Sequence, residues 1–321
     1  MLPVFYFVIP CYNEEAVLPI SAPVLKAKLL ALRDAGRISA DSRILFVDDG
    51  SADRTWEIVT SLHGEDPVFE GVKLSHNAGE QNAYLAGMTQ AIKKADVVVT
   101  ADCDLQDDIA AVDEMLDRFD EGYEIVYGVR RRRDEDPFLQ RLTSETFYRL
   151  MRLLGTELIR EHSQYRLMSR RAVSLLLSYG EVNLFLPALV PKIGLKHTVV
   201  EHDRHVRAAG ESNYNFIKLF RLAVEGVTSF SDAPLAFATL CAGGSFILFV
   251  VSLVFLILRS VQGAAFRTDL ALLTSFWFVA GLLFCTLRIL GEYLYKTYME
   301  TKKRPRFHVE TTTMDKEGTV Q

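Results

Sequence analysis

Five short apolar runs recur through the first part of the chain: Val4–Ile9, Ile44–Val47, Gly71–Leu74, Val97–Thr100 and Glu124–Tyr127. Each is separated from the next by a longer stretch of mixed polarity. Short runs rich in Val, Ile and Phe suit strands buried on both faces, and connections long enough to hold a helix let such strands run parallel. Asp53–Leu62 and Gln81–Lys93 carry helical spacing, with Ser51 or Asp53 placed to cap the first of them. The pattern predicts an α/β domain: a mostly parallel, Rossmann-like sheet with helices on both faces. Open sheets of this kind bind ligands beyond the carboxyl ends of their strands. The polar clusters fall there: Tyr12-Asn13-Glu14-Glu15, Asp48-Asp49-Gly50-Ser51 and Asp102-Cys103-Asp104-Leu105-Gln106-Asp107-Asp108.

The last third changes character. Leu235–Leu258 and Leu270–Leu287 contain no charged residue, and roughly 20 apolar residues in a helix cross a hydrocarbon core of about 30 Å. Two such runs in succession read as a transmembrane hairpin, with spans near 234–258 and 270–294. Lys218 and Arg221 precede it, and Lys296, Lys302, Lys303, Arg304 and Arg306 follow. The positive charge therefore places both termini and the sheet domain in the cytoplasm, on a multi-pass protein of the inner (plasma) membrane. Phe216, Leu219, Phe220, Ala223, Val224 and Val227 share a helical face, with Lys218, Arg221 and Glu225 elsewhere on the wheel. That fits an amphipathic helix in the lipid interface; the other reading is an ordinary helix packed on the sheet. The expected organisation is a catalytic domain over 1–213, the amphipathic helix over 214–232, the hairpin over 233–298 and a cytoplasmic tail over 299–321, loose from His308 onward. Gly243, Gly244 and Gly281 would let spans approach closely in a homo-oligomer.

Composition removes other classes. A net charge of −5 is the wrong sign for a nucleic-acid binder. The four cysteines, Cys11, Cys103, Cys241 and Cys285, show no zinc or disulfide spacing and read as reduced thiols. No strand runs into a GxGxxG turn, which disfavours a dehydrogenase. The N-terminus has no basic n-region, and Val4–Ile9 is too short for a signal peptide's apolar segment.

Asp102 and Asp104 end an apolar run two residues apart, and so share one side of a strand. Their oxygens suit a hard divalent cation, which keeps several waters and also binds substrate phosphates. Gln106 offers a further carbonyl oxygen. A solvated acidic turn would have the same residues. Asp48 and Asp49 present carboxylates to a nucleobase or ribose hydroxyl, or simply form a turn with Gly50. Arg130–Arg133 and Arg141 are either a solvated face or a bidentate phosphate clamp. His162, His202 and His205 match no metal-binding spacing and read as scattered polar residues.

Taken in order, Val8-Ile9-Pro10-Cys11-Tyr12-Asn13-Glu14-Glu15, Val47-Asp48-Asp49-Gly50-Ser51, Leu74-Ser75-His76-Asn77-Ala78-Gly79 and Asp102-Cys103-Asp104-Leu105-Gln106-Asp107 resemble glycosyltransferase family 2 in its polyprenyl-phosphate branch. Tyr165-Arg166-Leu167-Met168-Ser169-Arg170-Arg171, Ala209-Gly210-Glu211-Ser212 and Gly291-Glu292-Tyr293-Leu294 extend the likeness over nearly the whole chain. The resemblance implies a GT-A fold and an inverting transfer dependent on Mg²⁺ or Mn²⁺. The donor would be a UDP-sugar and the acceptor a polyprenyl phosphate such as undecaprenyl phosphate, in cell-envelope glycan modification. By position, Pro10, Tyr12, Glu14 and Asp49 would line the nucleotide pocket. Asp102, Asp104, Gln164 and Arg166 would be catalytic, with Asp104 and Gln106 on the metal. Arg130, Arg141 and Ser212 would meet the acceptor phosphate.

Three positions depart from the family pattern: Gln164 replaces the usual Asp, Asn213 a Lys, and Glu80 a His. An amide at 164 cannot accept a proton, yet a phosphate monoester with a second pKa near 6 is largely dianionic at neutral pH and needs no base. The alternative is a catalytically degenerate, membrane-anchored homologue acting as a binding or scaffold protein. A processive polysaccharide synthase is disfavoured, because neither Trp56 nor Trp277 stands in a Gln-x-x-Arg-Trp motif.

Overall fold

Both faces of the first strand, β1 (Phe5–Cys11), are apolar, so it can only be a central strand covered on two sides. The computed structural model describes residues 2–131, 162–181, 186–203 and 268–314, with helical positions 244, 250 and 254. After β1 come α1 (Leu18–Asp34), β2 (Arg43–Asp48), α2 (Thr55–Glu65), β3 (Phe69–Leu74), α3 (Glu80–Ala91) and β4 (Val97–Thr100). A 3₁₀ turn (Ile109–Ala111), α4 (Val112–Asp120), β5 (Ile125–Arg130), β6 (His162–Ser169), α5 (Arg170–Ser178), α6 (Leu186–Lys192) and β7 (His197–His202) follow. The chain then gives α7 (Thr268–Lys302) and β8 (Val309–Thr312).

The eight strands form one sheet in the order β7-β5-β6-β4-β1-β2-β3-β8. Strands β1 to β4 are mutually parallel, and β5 and β7 point the same way because β6 runs antiparallel to both β4 and β5. Only β6 and β8 are reversed. The mostly parallel sheet is therefore present, and six strands deliver their carboxyl ends to one edge. Phe5, Phe7 and Ile9 bury against Leu25 and Leu29 of α1, Val59 of α2 and Met115 of α4. The other face of β1 carries α3. A side chain at Gly87 would meet Val8 Cγ1 at 2.4 Å and Val47 Cγ2 at 2.7 Å, so only glycine lets that helix lie so close.

Several expectations need correction. Neither Ser51 nor Asp53 caps α2; its N-cap position is Arg54, with no side-chain cap. Asp53 Oδ1 instead accepts from Thr55 N at 3.0 Å and Thr55 Oγ1 at 2.6 Å. Residues 309–314 are not loose. β8 pairs antiparallel with β3, Ser75 N donates to His308 O at 2.9 Å, and Gly71 N donates to Thr313 Oγ1 at 2.8 Å. Its residues, Val309-Glu310-Thr311-Thr312, are polar because it is an edge strand, where charge and hydroxyls discourage further pairing.

The chain divides into two compact units: residues 1–148, 157–214 and 304–321, and residues 149–156 with 215–303. In the second, α7 runs 35 residues and takes in the second charge-free run. Among the described residues no helix is long and apolar enough to cross a membrane. The amphipathic stretch 214–232, most of the first charge-free run, Arg141, Ser212 and Asn213 lie outside the described residues.

Gly71 on β3 is the seat for α2: an added Cβ would lie 2.6 Å from Val59 Cγ1 and 3.0 Å from Trp56 Cζ3. Gly71→Ala should lower unfolding stability by about 1–3 kcal/mol through overpacking. Chemical denaturation followed through Trp56 fluorescence measures this; an unchanged midpoint would show that α2 is not held so tightly.

Candidate active site

Three loops at the carboxyl edge are fastened to one another. Asn13 takes a φ of +56°, a region that short polar side chains enter most readily. It accepts from Ala52 N through Oδ1 at 2.9 Å and donates its own N–H to Ser51 Oγ at 2.9 Å. Glu14 N donates to Thr55 Oγ1 and Glu15 N to Asp53 Oδ2, at 2.9 and 3.1 Å. The loops after β1 and β2 are thus zipped together. The loop after β3 joins them through Asp49, whose two carboxylate oxygens accept from Ala78 N at 2.7 Å and Gly79 N at 3.0 Å. Gly50, with φ +66°, packs so closely that a Cβ there would lie 2.5 Å from the carbonyl carbon of His76.

Burial raises the pKa of Asp49, and its bonds to the Ala78 and Gly79 amides oppose that rise. Asp48 is also shifted upward by burial, against its bonds from Ser51. The expected nucleotide residue Asp49 is therefore first a loop anchor. Each of its oxygens keeps a second lone pair for a ligand. Tyr12 is about half exposed, at 47%, and stands on the same loop as Glu14.

The acidic loop follows β4, but β4 ends at Thr100, before Asp102. Strand alternation therefore does not bring Asp102 and Asp104 together, contrary to the sequence argument. Both lie in the loop that follows β4, which turns at Leu105 (φ +56°) with Gln106 N donating to Asp104 Oδ1 at 3.1 Å. Asp102 Oδ1 accepts from Tyr84 OH of α3 at 2.6 Å. The pKa of Asp102 is raised to about 6, first by burial and then by the charge of Asp107, with a smaller push from Asp104. The bond from Tyr84 and the charge of Arg130 act the other way.

Asp107 is buried, and its Oδ1 lies 3.8 Å from Arg130 Nε and 3.7 Å from His202 Nε2. Arg130 and His202 end β5 and β7 and are partners in register. The His202 ring is perpendicular to Tyr165 at 5.2 Å, and burial lowers its pKa. His202 is thus a buried side chain facing Asp107, not one of a set of scattered polar residues. The one available signal was the position of His202 at the end of the run Val199-Val200-Glu201.

Because β6 runs backwards, its start lies at the same edge. Thr100 pairs with Arg166, and Thr100 Oγ1 donates to Gln164 O. Arg166 is buried; its Nη2 donates to Gln164 Oε1, and Nη1 has no hydrogen-bond partner among the described residues. Burial lowers the pKa of Arg166. The edge thus gathers Pro10, Tyr12, Glu14, Asp49, Asp102, Asp104, Gln106, Arg130, Gln164 and Arg166. β2 and β4 flank β1, so their tips stand about 10 Å apart at two strand spacings, a nucleotide-sized gap.

Among the described residues no three His, Cys, Asp or Glu side chains converge on a metal position. A Mg²⁺-type ion does not require that, since one or two carboxylates suffice when waters and substrate phosphates complete its shell. Asp102 and Asp104 fit this donor set. The raised pKa of Asp102 comes first from burial and then from the charge of Asp107, and a cation beside it would oppose both.

Residues 6–177 match the family model described as glycosyl transferase family 2. An uncharacterized glycosyltransferase of Bacillus subtilis, YkoT, is 41% identical over 311 residues, covering 96% of this chain and 91% of its own length. A prophage bactoprenol glucosyl transferase homolog of Escherichia coli is 34% identical over 310 residues, 94% of this chain and 97% of its own. The bactoprenol glucosyl transferase of Shigella phage SfX is 34% identical over 311 residues, 95% of this chain and 98% of its own.

The Asp102 shift has a definite sign. A carboxyl with an ordinary pKa near 3.9 and a folded-state value of about 6 favours folding when neutral. Its contribution is complete below pH ~4 and is lost as pH rises through ~6, a loss on the order of 1–3 kcal/mol. Thermal unfolding across pH should therefore show a fall between pH ~4 and ~6.5 that Asp102→Asn flattens. Millimolar Mg²⁺ or Mn²⁺ should restore wild-type stability above pH ~6. Parallel pH curves for wild type and variant would contradict the charge-crowding account.

Proposed function

Given that this chain belongs to glycosyltransferase family 2, we propose that it moves a sugar from a UDP-sugar onto a polyprenyl phosphate at the cytoplasmic face of a membrane, with inversion. The observation that carries this reading is the single strand edge holding Asp102 and Asp104 beside the interlocked loops of Tyr12 and Asp49. The full-length relatives named as bactoprenol glucosyl transferases support the choice of acceptor.

In the reaction a phosphate oxygen of the acceptor forms a bond to the anomeric carbon. The bond from that carbon to the β-phosphate oxygen breaks, and UDP departs with the electron pair. A divalent cation held by Asp102 and Asp104 would neutralise charge on the diphosphate. The remaining work belongs to the chain's own residues. Asp49 and Asn13 fix the loops that receive the uridine, so little ordering is needed on binding. Arg166, buried and held by Gln164, supplies fixed positive charge at the same edge. Arg130, ordered against Asp107, presents its guanidinium to the acceptor phosphate. Gln164 takes no proton, and a dianionic phosphate needs none removed.

Lipid contact rests on the two charge-free runs. It is supported by the apolar side chains that α7 exposes, among them Leu272, Phe276, Leu283, Leu287 and Leu294. Exposed apolar surface of that extent marks a lipid or protein contact.

The full chain with undecaprenyl phosphate, Mn²⁺ and a panel of UDP-sugars should yield one polyprenyl-phosphate sugar by mass spectrometry. Asp104→Asn should reduce kcat by roughly 10²–10³ or more, as losing a main electrostatic element does. No glycolipid from any UDP-sugar would overturn the reading, and undiminished turnover in Asp104→Asn would remove that residue from the site.

A further inference from the structure

The opposite edge of the sheet also holds a cavity. It lies at the amino ends of β1 to β3, has a volume of about 540 Å³, and is lined by the acids Asp41 and Glu70, the bases Arg43, His63 and Lys94, and the hydroxyls of Tyr6 and Thr313, among others. β1 alone is 7 residues long, which at about 3.3 Å per residue separates this cavity from the Asp102 edge by roughly 20 Å.

The lining is polar in a particular way. Glu70 is 6% exposed, and its Oε2 is buried without a hydrogen-bond partner among the described residues. The Tyr6 hydroxyl is buried in the same condition. Arg43 and Lys94 face the same space, yet neither stands within 4 Å of a carboxylate among the described residues. Arg43 is fixed there by donating Nη1 to Ala40 O at 3.2 Å and Ser42 O at 3.0 Å. His63 Nδ1 lies 2.6 Å from Phe69 O. A carbonyl only accepts, so Nδ1 carries the proton and Nε2 is left as an acceptor. Thr313 is set in the wall by its bonds to Gly71.

Acid and base thus face one another across a cavity without closing into an ion pair. The Tyr6 hydroxyl and the Glu70 carboxylate face each other there, and neither the hydroxyl nor Glu70 Oε2 holds a hydrogen bond of ordinary geometry among the described residues. A guest with the complementary groups would satisfy all of them. We propose that this cavity binds a small phosphorylated polyol, with its phosphate on Arg43 and Lys94 and its hydroxyls on Glu70, Tyr6 and His63 Nε2. A bare phosphate would leave Glu70 opposed to a like charge, and an uncharged polyol would leave both cations unmatched. The volume falls within the range of about 300–1,000 Å³ usual for small-molecule sites. Because Thr313 directly follows β8, the site is complete only when that strand is docked, so the guest also holds the strand in place.

Calorimetric titration of the full-length protein with glycerol 3-phosphate and glucose 6-phosphate tests this, with inorganic phosphate and glycerol as separate arms. At least one phosphorylated polyol should bind tenfold or more tighter than either arm. Lys94→Ala and Glu70→Gln should each weaken that binding at least tenfold, while Asp104→Asn leaves it unchanged. Hydrogen exchange at Thr311–Thr313 should slow on binding. No saturable binding, equal binding of inorganic phosphate, or affinity that survives both cavity substitutions would overturn the proposal. Should Glu70→Gln fail to fold, Lys94→Ala alone decides, since its side chain is only half-buried.

Discussion

Carboxylates brought close together in a poorly hydrated place repel one another, and the loop after β4 holds Asp102, Asp104 and Asp107 within six residues. Much of the architecture at this edge answers that repulsion. α3 presents Tyr84 to Asp102, the turn at Leu105 presents an amide to Asp104, and β5 and β7 bring Arg130 and His202 to Asp107. At Asp102 burial, with the charge of Asp107 added, outweighs these bonds, and its pKa stays near 6. A site left short of positive charge is a site ready for a cation and the phosphates that accompany it. The same three carboxylates placed on an exposed loop would be screened by water and would hold nothing in readiness.

The second constraint is order among the loops that follow β1, β2 and β3. Bonds from Asn13, Ser51, Asp53 and Asp49 tie the ends of β1, β2 and β3 into one unit. Gly50 permits the close approach, since its positive φ and its contact with the His76 backbone would both be strained in any other residue. Loops fixed in advance lose little entropy on binding, so more of the contact energy appears as affinity. This makes Asp49 a residue of position before it is a residue of contact.

How much of this was legible in the sequence follows from what each element depends on. β1 to β4 could be read because each is an apolar run buried on both faces, a local property. β8 could not, because its polar composition reflects its place at the sheet edge, and its partner lies on β3 over 230 residues away, as the bond from Gly71 to Thr313 (|i−j| = 242) shows. Strand alternation does not relate Asp102 to Asp104, because β4 ends at Thr100 and both lie in the loop beyond it, where Leu105 takes a positive φ. Tyr84 looks like any core aromatic on a helix, and only the packing of α3 reveals that its hydroxyl meets Asp102. His202 joins Asp107 through the register of two strands whose connection is long, which no local spacing reports.

The amide at 164 acquires a physical meaning from its neighbour. Arg166 is buried and its guanidinium donates to Gln164 Oε1, with no carboxylate within ion-pair distance among the described residues. An acid at 164 would form a buried ion pair with Arg166, and the pair's charges would cancel over a short distance. With glutamine the hydrogen bond is kept and the positive charge is not cancelled. The price is desolvation, seen in the lowered pKa of Arg166. A guanidinium kept cationic and rigid stabilises negative charge that develops beside it more than a neutralised one would. In the reaction proposed above, a diphosphate leaving from this edge would gather such charge, so glutamine at 164 is consistent with an active transferase and would strengthen the field acting on the leaving group.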